Sequence, residues 1–302
     1  MLISNRGKIT ERIYLSFAGF LPGFILMGRK YALVDTGVPA TAPALYKAIT
    51  ESLKEPERLE YVLLTHSHYD HCGGLSYLRR KIPHLKVIAS EQTAKILRKD
   101  EAIAFMNDLS KEVEESIEFK KYFENEDISI KKELLNVDMI VRDGDRIDLG
   151  DGVELEVFAT PGHTRCSVSF YMMPDRALFS GESVGAYAGE DMVLANYLSD
   201  YHEYMKSLRR LSELNTEFLG LPHHGMLVGD RTIKRFFELS IKGAETFKNE
   251  VISMLKDNTD EEEMIKRLTE KFYVDVASLQ PKGAFVINLK AMIKVLRKEF
   301  LN

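Results

Sequence analysis

Tyr61-Val62-Leu63-Leu64 runs directly into Thr65-His66-Ser67-His68-Tyr69-Asp70-His71-Cys72-Gly73-Gly74. The first four residues read as a short buried strand. Alternation in an extended continuation aims His66 and His68 the same way. A tight turn would then bring Asp70 and His71 round to a second, adjacent position. Imidazole and carboxylate are ligand types that divalent zinc, manganese and iron accept. A lone histidine is more often structural than a ligand, and a histidine-rich surface loop is the plain alternative. Four potential ligands at this spacing, behind a buried strand, point instead to a metal centre.

Upstream, Phe24-Ile25-Leu26-Met27 and Tyr31-Ala32-Leu33-Val34 flank Gly28-Arg29-Lys30 and read as a hairpin. Leu45, Ile49 and Leu53 predict an amphipathic helix over 41–54. Downstream, 91–124 is charged, lacks glycine and proline, and carries an apolar stripe from Ala94 through Met106 and Val113 to Ile117. It reads as one or two helices inserted between strands. Strands are expected at about 138–148, around the turn Asp143-Gly144-Asp145, and at 153–159. A second hairpin is expected through Pro174-Asp175-Arg176. A helix over 200–214 and a short strand Phe218–Leu221 follow. Beyond about residue 229 the pattern is helical, with Thr259 and Glu262 spaced as a capping box.

The chain has 302 residues, 45% of them hydrophobic and 29% charged, the balance of an ordinary globular protein. The N-terminus lacks the apolar core of a signal peptide, no apolar run reaches bilayer length, and a cytoplasmic location is expected. The two cysteines, Cys72 and Cys166, make no disulfide framework and read as small buried side chains beside the histidine motifs. A net charge of −5 with dispersed cations argues against a nucleic-acid partner. A small-molecule substrate is expected and no membrane partner; a homodimer stays open.

The segment His66-Ser67-His68-Tyr69-Asp70-His71 resembles the H-x-H-x-D-H motif of the metallo-β-lactamase superfamily. Four further motifs follow that family's order: Leu33-Val34-Asp35-Thr36-Gly37, Thr160-Pro161-Gly162-His163-Thr164, Phe179-Ser180-Gly181-Glu182 and Leu221-Pro222-His223-His224-Gly225. The resemblance covers roughly residues 10–228. It implies an α/β fold, an αββα sandwich with the site on loops at one edge. The chain would divide into a catalytic domain, 1–228, with a helical insert at about 91–135, and a small helical extension, 229–302. The resemblance also implies two divalent metal ions, zinc first, with iron or manganese as alternatives. His66, His68 and His163 would hold one; Asp70, His71 and His224 the other. His224 is chosen over His223 because it precedes Gly225, which leaves His223 a supporting, substrate-facing or structural residue. Glu182 stands where the family has a bridging aspartate. Being one methylene longer, it leaves both a glutamate-bridged pair and a single-metal site open. Asp35 either orients a ligand histidine or simply forms a turn.

Metal coordination lowers the pKa of bound water towards about 7, so the resemblance implies a metal-bound hydroxide as nucleophile, oriented by Asp70. The sequence holds no G-x-S-x-G elbow, P-loop or dinucleotide fingerprint. The expected activity is hydrolysis of a small ester, thioester or lactone. The alternatives are a mononuclear-iron oxygenase similar to persulfide dioxygenases and a single-strand ribonuclease. The helical tail resembles that of a glyoxalase-II-like branch that includes β-lactamase-like protein 2 relatives, and looks like a winged-helix remnant. Substrate contacts are sought at Tyr69, Arg165, Tyr187 and Tyr197, the last two in the stretch 184–197, and in the insert, as a lid or a dimer surface.

Overall fold

A computed structural model describes all residues except 19–20, 116–122, 124–125, 190–191, 277–281 and 302. Ile117, at the end of the predicted stripe, lies outside the described residues, as do two positions of the stretch 184–197.

The chain enters through β1 (Leu2–Ile3), which later pairs with the final strand. The first sheet then forms in chain order: β2 (Gly7–Lys8), β3 (Ile13–Ala18), β4 (Leu21–Met27), β5 (Tyr31–Val34), β6 (Leu59–Leu63), β7 (Lys86–Ser90) and β8 (Met139–Val141). Strands β3, β4 and β5 are antiparallel, as the hairpin reading requires, whereas β5 to β8 are parallel. Parallel neighbours need crossovers. Two of these are supplied by α1 (Ala42–Ser52), between β5 and β6, and by α2 (Tyr69–Cys72) with α3 (Leu75–Lys81), between β6 and β7.

The last crossover contains α4 (Glu91–Ile96) and α5 (Asp100–Glu115). Ser90 caps α4 by accepting from the Thr93 N–H. The turn at Asp143-Gly144 does not join two strands of one hairpin: β8 ends the first sheet, and β9 (Arg146–Gly150) begins the second. Gly144 at φ 81° accommodates this change of sheet.

The second sheet contains β9, β10 (Val153–Ala159), β11 (Val168–Met173), β12 (Ala177–Phe179), β15 (Phe218–Leu221), β16 (Gly225–Val228) and β1. Strands β13 (Ala186–Tyr187) and β14 (Val193–Leu194) form a separate ribbon. Helix α6 (Tyr201–Ser212) precedes β15, and α7 (Asp230–Lys256), α8 (Glu261–Val276) and α9 (Lys282–Phe300) follow β16. Glu262 N–H donates to Asp260, so the cap of α8 lies one residue beyond the predicted Thr259. Among the described residues no strand follows Val228, and none of them forms the wing of a winged helix.

Side-chain alternation builds the layers. Phe24, Leu26, Val34 and Leu63 meet Val157, Phe170, Met172 and Phe179 between the sheets. The intervening Ile25, Leu33 and Val62 turn to the other face, against Leu45, Ile49, Leu75 and Leu78 of α1 and α3. Leu178 and Leu219 of the second sheet pack outward on Leu208, Phe236, Phe247 and Leu296. Both faces of each sheet are thus buried, which explains the near-continuous apolar runs in β5 and β6. The outcome is the four-layer αββα sandwich, with its C-terminal helices stacked on the second sheet. No helix among the described residues is long and apolar enough to cross a membrane.

Candidate metal centre

The motif residues leave the ends of strands at one edge of the sandwich, where loops can project polar groups from a rigid frame. Asp35 follows β5, His66 follows β6, His163 follows β10, Glu182 follows β12 and His223 follows β15. Two glycines permit this crowding. Gly162 has φ 130°, and a Cβ there would lie 2.2 Å from Tyr204 Cα. Gly181 has φ 51°, and a Cβ there would lie 2.7 Å from Thr65 Oγ1.

Two groups of potential ligands result, each with donor atoms within 4.8 Å of one another: His66, His68, His163 and Glu182, then Asp70, His71 and His223. Glu182 lies between them. Its Oε2 is 2.7 Å from His163 Nε2, 3.7 Å from His66 Nε2 and 3.9 Å from His68 Nδ1. Its Oε1 is 3.2 Å from His223 Nε2, and Oε2 is 3.9 Å from His71 Nε2.

The histidine chosen from the last motif is corrected by this geometry. His223, not His224, joins Asp70 and His71. The His224 ring points away, with Nε2 donating to the Tyr187 carbonyl at 2.7 Å. The two residues sit on the turn between β15 and β16, before Gly225 at φ 121°. Spacing to the glycine cannot tell which ring that turn sends inward.

The imidazoles are held from behind. Asp35 Oδ2 accepts from His71 Nδ1 at 2.8 Å and from the Thr65 hydroxyl at 2.7 Å, and Oδ1 accepts from the Thr65 N–H at 2.8 Å. Thr65 Oγ1 lies 3.0 Å from His66 Nδ1. With that hydroxyl proton engaged by Asp35, the network assigns Nδ1–H to both histidines and turns both Nε2 atoms inward. Asp35 also has φ 55°, so its turn-forming and orienting roles coincide.

Asn196, missed in the sequence, does the same on the other side. Its carbonyl accepts from His163 Nδ1 at 2.6 Å, and its amide donates to Glu182 Oε1 at 3.0 Å. It lies inside the stretch read as a pocket loop, but an asparagine with no motif around it gives no signal of a backbone contact.

The donor set fits cations. His66 Nε2 and His71 Nε2 are buried without a hydrogen bond, an expensive state that a metal ion would relieve. Burial holds the His66 and His68 imidazoles below their ordinary pKa, which keeps them neutral and able to ligate. Burial also acts to lower His71, but Asp35, Asp70 and Glu182 outweigh it and raise this ring to about 9. A cation at Nε2 would take the place of that proton. Burial opposes the charged form of Glu182, yet His163, with hydrogen bonds from His163, His223 and His68, holds its carboxyl well below the usual range.

Cys72 and Cys166 are buried and belong to neither group. Burial raises the Cys72 thiol, and its Sγ lies 3.5 Å from the Ser67 carbonyl. The Cys166 Sγ lies 3.1 Å from the Thr164 hydroxyl.

The centre floors a cavity of about 260 Å³ whose lining includes His68, Tyr69, Asp70, Glu182 and His223. Helices α5 and α9 supply its walls. The insert is therefore a wall of the site, in keeping with the lid reading. Of the residues sought as substrate contacts, Tyr69 lines this cavity. Tyr197 does not: it is 0% exposed and packs among Tyr201, Tyr204 and Phe247. An apolar core takes up its ring, which a loop reading of 184–197 could not foresee. Arg165 is exposed and outside the lining, and Tyr187 packs edge-on against His224.

Residues 24–223 match the sequence profile of the metallo-beta-lactamase superfamily. The chain belongs to this superfamily. It is 27% identical over 272 residues to a beta-lactamase-like protein 2 homolog of Caenorhabditis elegans, covering 90% of this chain and 76% of that one. It is 26% identical over 223 residues to hydroxyacylglutathione hydrolase of Francisella tularensis subsp. novicida, covering 74% and 70%. Among solved structures, the archaeal superfamily protein ST1585 of Sulfolobus tokodaii superposes with a TM-score of 0.56 at 22% identity, over 80% of this chain and 99% of that one. The chain is accordingly an enzyme-like member of a hydrolase superfamily with a candidate divalent-metal site.

Proposed function

We propose that this superfamily member is a dinuclear metallohydrolase of thioesters, with esters and lactones as chemically related substrates. One observation carries the reading: Glu182 presents Oε2 to the first ligand group and Oε1 to His223 of the second. A carboxylate one methylene longer than aspartate thus reaches both groups. Thioester cleavage is supported by the likeness to a hydroxyacylglutathione hydrolase, whose name specifies a thioester of glutathione.

In this reading His66, His68, His163 and Glu182 hold one ion, and Asp70, His71, His223 and Glu182 hold the other, with zinc the first choice and iron or manganese alternatives. When bound, such ions supply a water of lowered pKa and polarise the substrate carbonyl. The protein's own contribution is positional. Asp35 and Asn196 fix the imidazole orientations and the Glu182 carboxylate. Asp70 lines the cavity, with Oδ2 3.8 Å from His71 Nε2, where it can orient the attacking water and accept its proton. The water oxygen bonds to the acyl carbon, the C–S bond breaks, and the sulfur leaves with the electron pair and takes up the proton. One thioester and one water give one carboxylic acid and one thiol.

The test is thiol release from a panel of acyl-glutathione and acyl-pantetheine thioesters by protein reconstituted with zinc, iron or manganese. Metal-dependent release is expected. Absence of release with every metal, from protein that binds metal, would overturn the reading.

A further inference from the structure

The cavity that the centre floors is lined as well by Phe105, Met106 and Leu109 of α5 and by Ala284, Ile287 and Ala291 of α9. The α9 residues recur at helical spacing and form one stripe. Among the described lining residues outside the five sequence motifs, Asn288 is the only polar one, and none is Lys or Arg. Phe105 is 56% exposed and Ile287 45%. Large apolar side chains that line one cavity from two helices and are left partly in water mark a binding surface rather than unfinished core.

We propose that this space is an acyl tunnel, and that the enzyme selects substrates whose acyl group is an extended, uncharged hydrocarbon chain. The inference deepens the hydrolase reading and rests on it for the position of the scissile carbonyl, which lies at the histidine end. The chain then runs between α5 and α9 towards Phe105 and Ile287. A polyanionic strand is a poor occupant: away from the ion ligands the described lining offers no Lys or Arg to offset its phosphates. A short polar acyl group would leave the apolar walls wet.

The test separates binding from turnover. Straight-chain carboxylates from acetate to decanoate, the products of the reaction, are titrated calorimetrically into the metal-loaded protein, and the matching thioesters are assayed beside them. Affinity is expected to rise about fourfold per methylene until the cavity is filled, the value of one buried CH₂. Ala291→Phe should flatten this ladder by filling the tunnel. Ile287→Ser, on the exposed side of α9, should weaken only its longest members and guards against a misfolded first variant.

A flat ladder in the wild-type protein, alongside active thioester hydrolysis, would overturn the tunnel and leave the hydrolase reading standing. A steep ladder with no hydrolysis of any thioester would uphold the tunnel and overturn the hydrolase reading. Tighter binding of a single-stranded oligoribonucleotide than of decanoate would also overturn the tunnel.

Discussion

The floor and the walls of the cavity are built in opposite ways. The floor consists of side chains on loops that leave strand ends. Glu182, His66, His71 and His163 are buried, and a further residue holds each of them. The walls are helical, mostly apolar and partly exposed at Phe105 and Ile287. The floor is anchored to both sheets, so small displacements there would cost metal geometry. The walls come from an insert and from one face of α9, where Ala284, Ile287 and Ala291 lie outside the core packed on the second sheet. One scaffold can thus keep its chemistry while changing its substrate.

The sharpest way to break this contrast is at Glu182. Glu182→Gln keeps the shape and removes the bridging charge. It is expected to lower bound metal to about one ion per chain or less and turnover by at least ~10²-fold. Metal analysis and thiol release check both. If instead a single-metal site operates and the longer side chain merely weakens the second position, Glu182→Asp should raise metal content above that of the wild type.

How much of this contrast the sequence reveals follows from the same physics. His66, His68, Asp70 and His71 lie within one short segment, and spacing behind a buried strand suffices to read them. His163 and Glu182 are readable through the motif order. The choice between His223 and His224 is not, because it depends on the backbone of a turn between two strands. Asn196 holds His163 through a main-chain carbonyl, which any residue carries, and its amide reaches Glu182 from a stretch with no motif around it. The four layers are legible through the family resemblance; the apolar run of β5 agrees with them, but periodicity alone does not fix how the layers stack. The assignment of β8 and β9 to different sheets is not, because two short strands around Asp143-Gly144 look the same as a hairpin. The meeting of α5 with α9 joins segments far apart in the chain, and periodicity carries no information about it.

The next effect in size separates the two neighbouring histidines. His223→Ala should lose the second metal equivalent and most turnover, whereas His224→Ala should keep its metal and shift only the ribbon contact with Tyr187. Loss of metal in His224→Ala alone would place His224, and not His223, beside Asp70 and His71.

Supporting residues come below that. Asp35→Ala and Asn196→Ala should each reduce metal affinity or activity by about 10–100-fold, read from chelator competition and from kcat/KM. Equal stability of the two variants to heat without metal would separate this positioning role from a general folding defect. The smallest effect belongs to the walls. Phe105→Ser should leave metal content unchanged and lower kcat/KM for a decanoyl thioester relative to an acetyl one by a few fold, about what loss of one or two buried methylenes costs.

Whether Glu182 joins two ion sites is tested most directly by the metal content per chain, measured by plasma mass spectrometry on protein purified without a metal-binding tag. A carboxylate shared by both ligand groups predicts about two equivalents of divalent metal per chain. About one equivalent in a fully active enzyme would contradict the shared carboxylate.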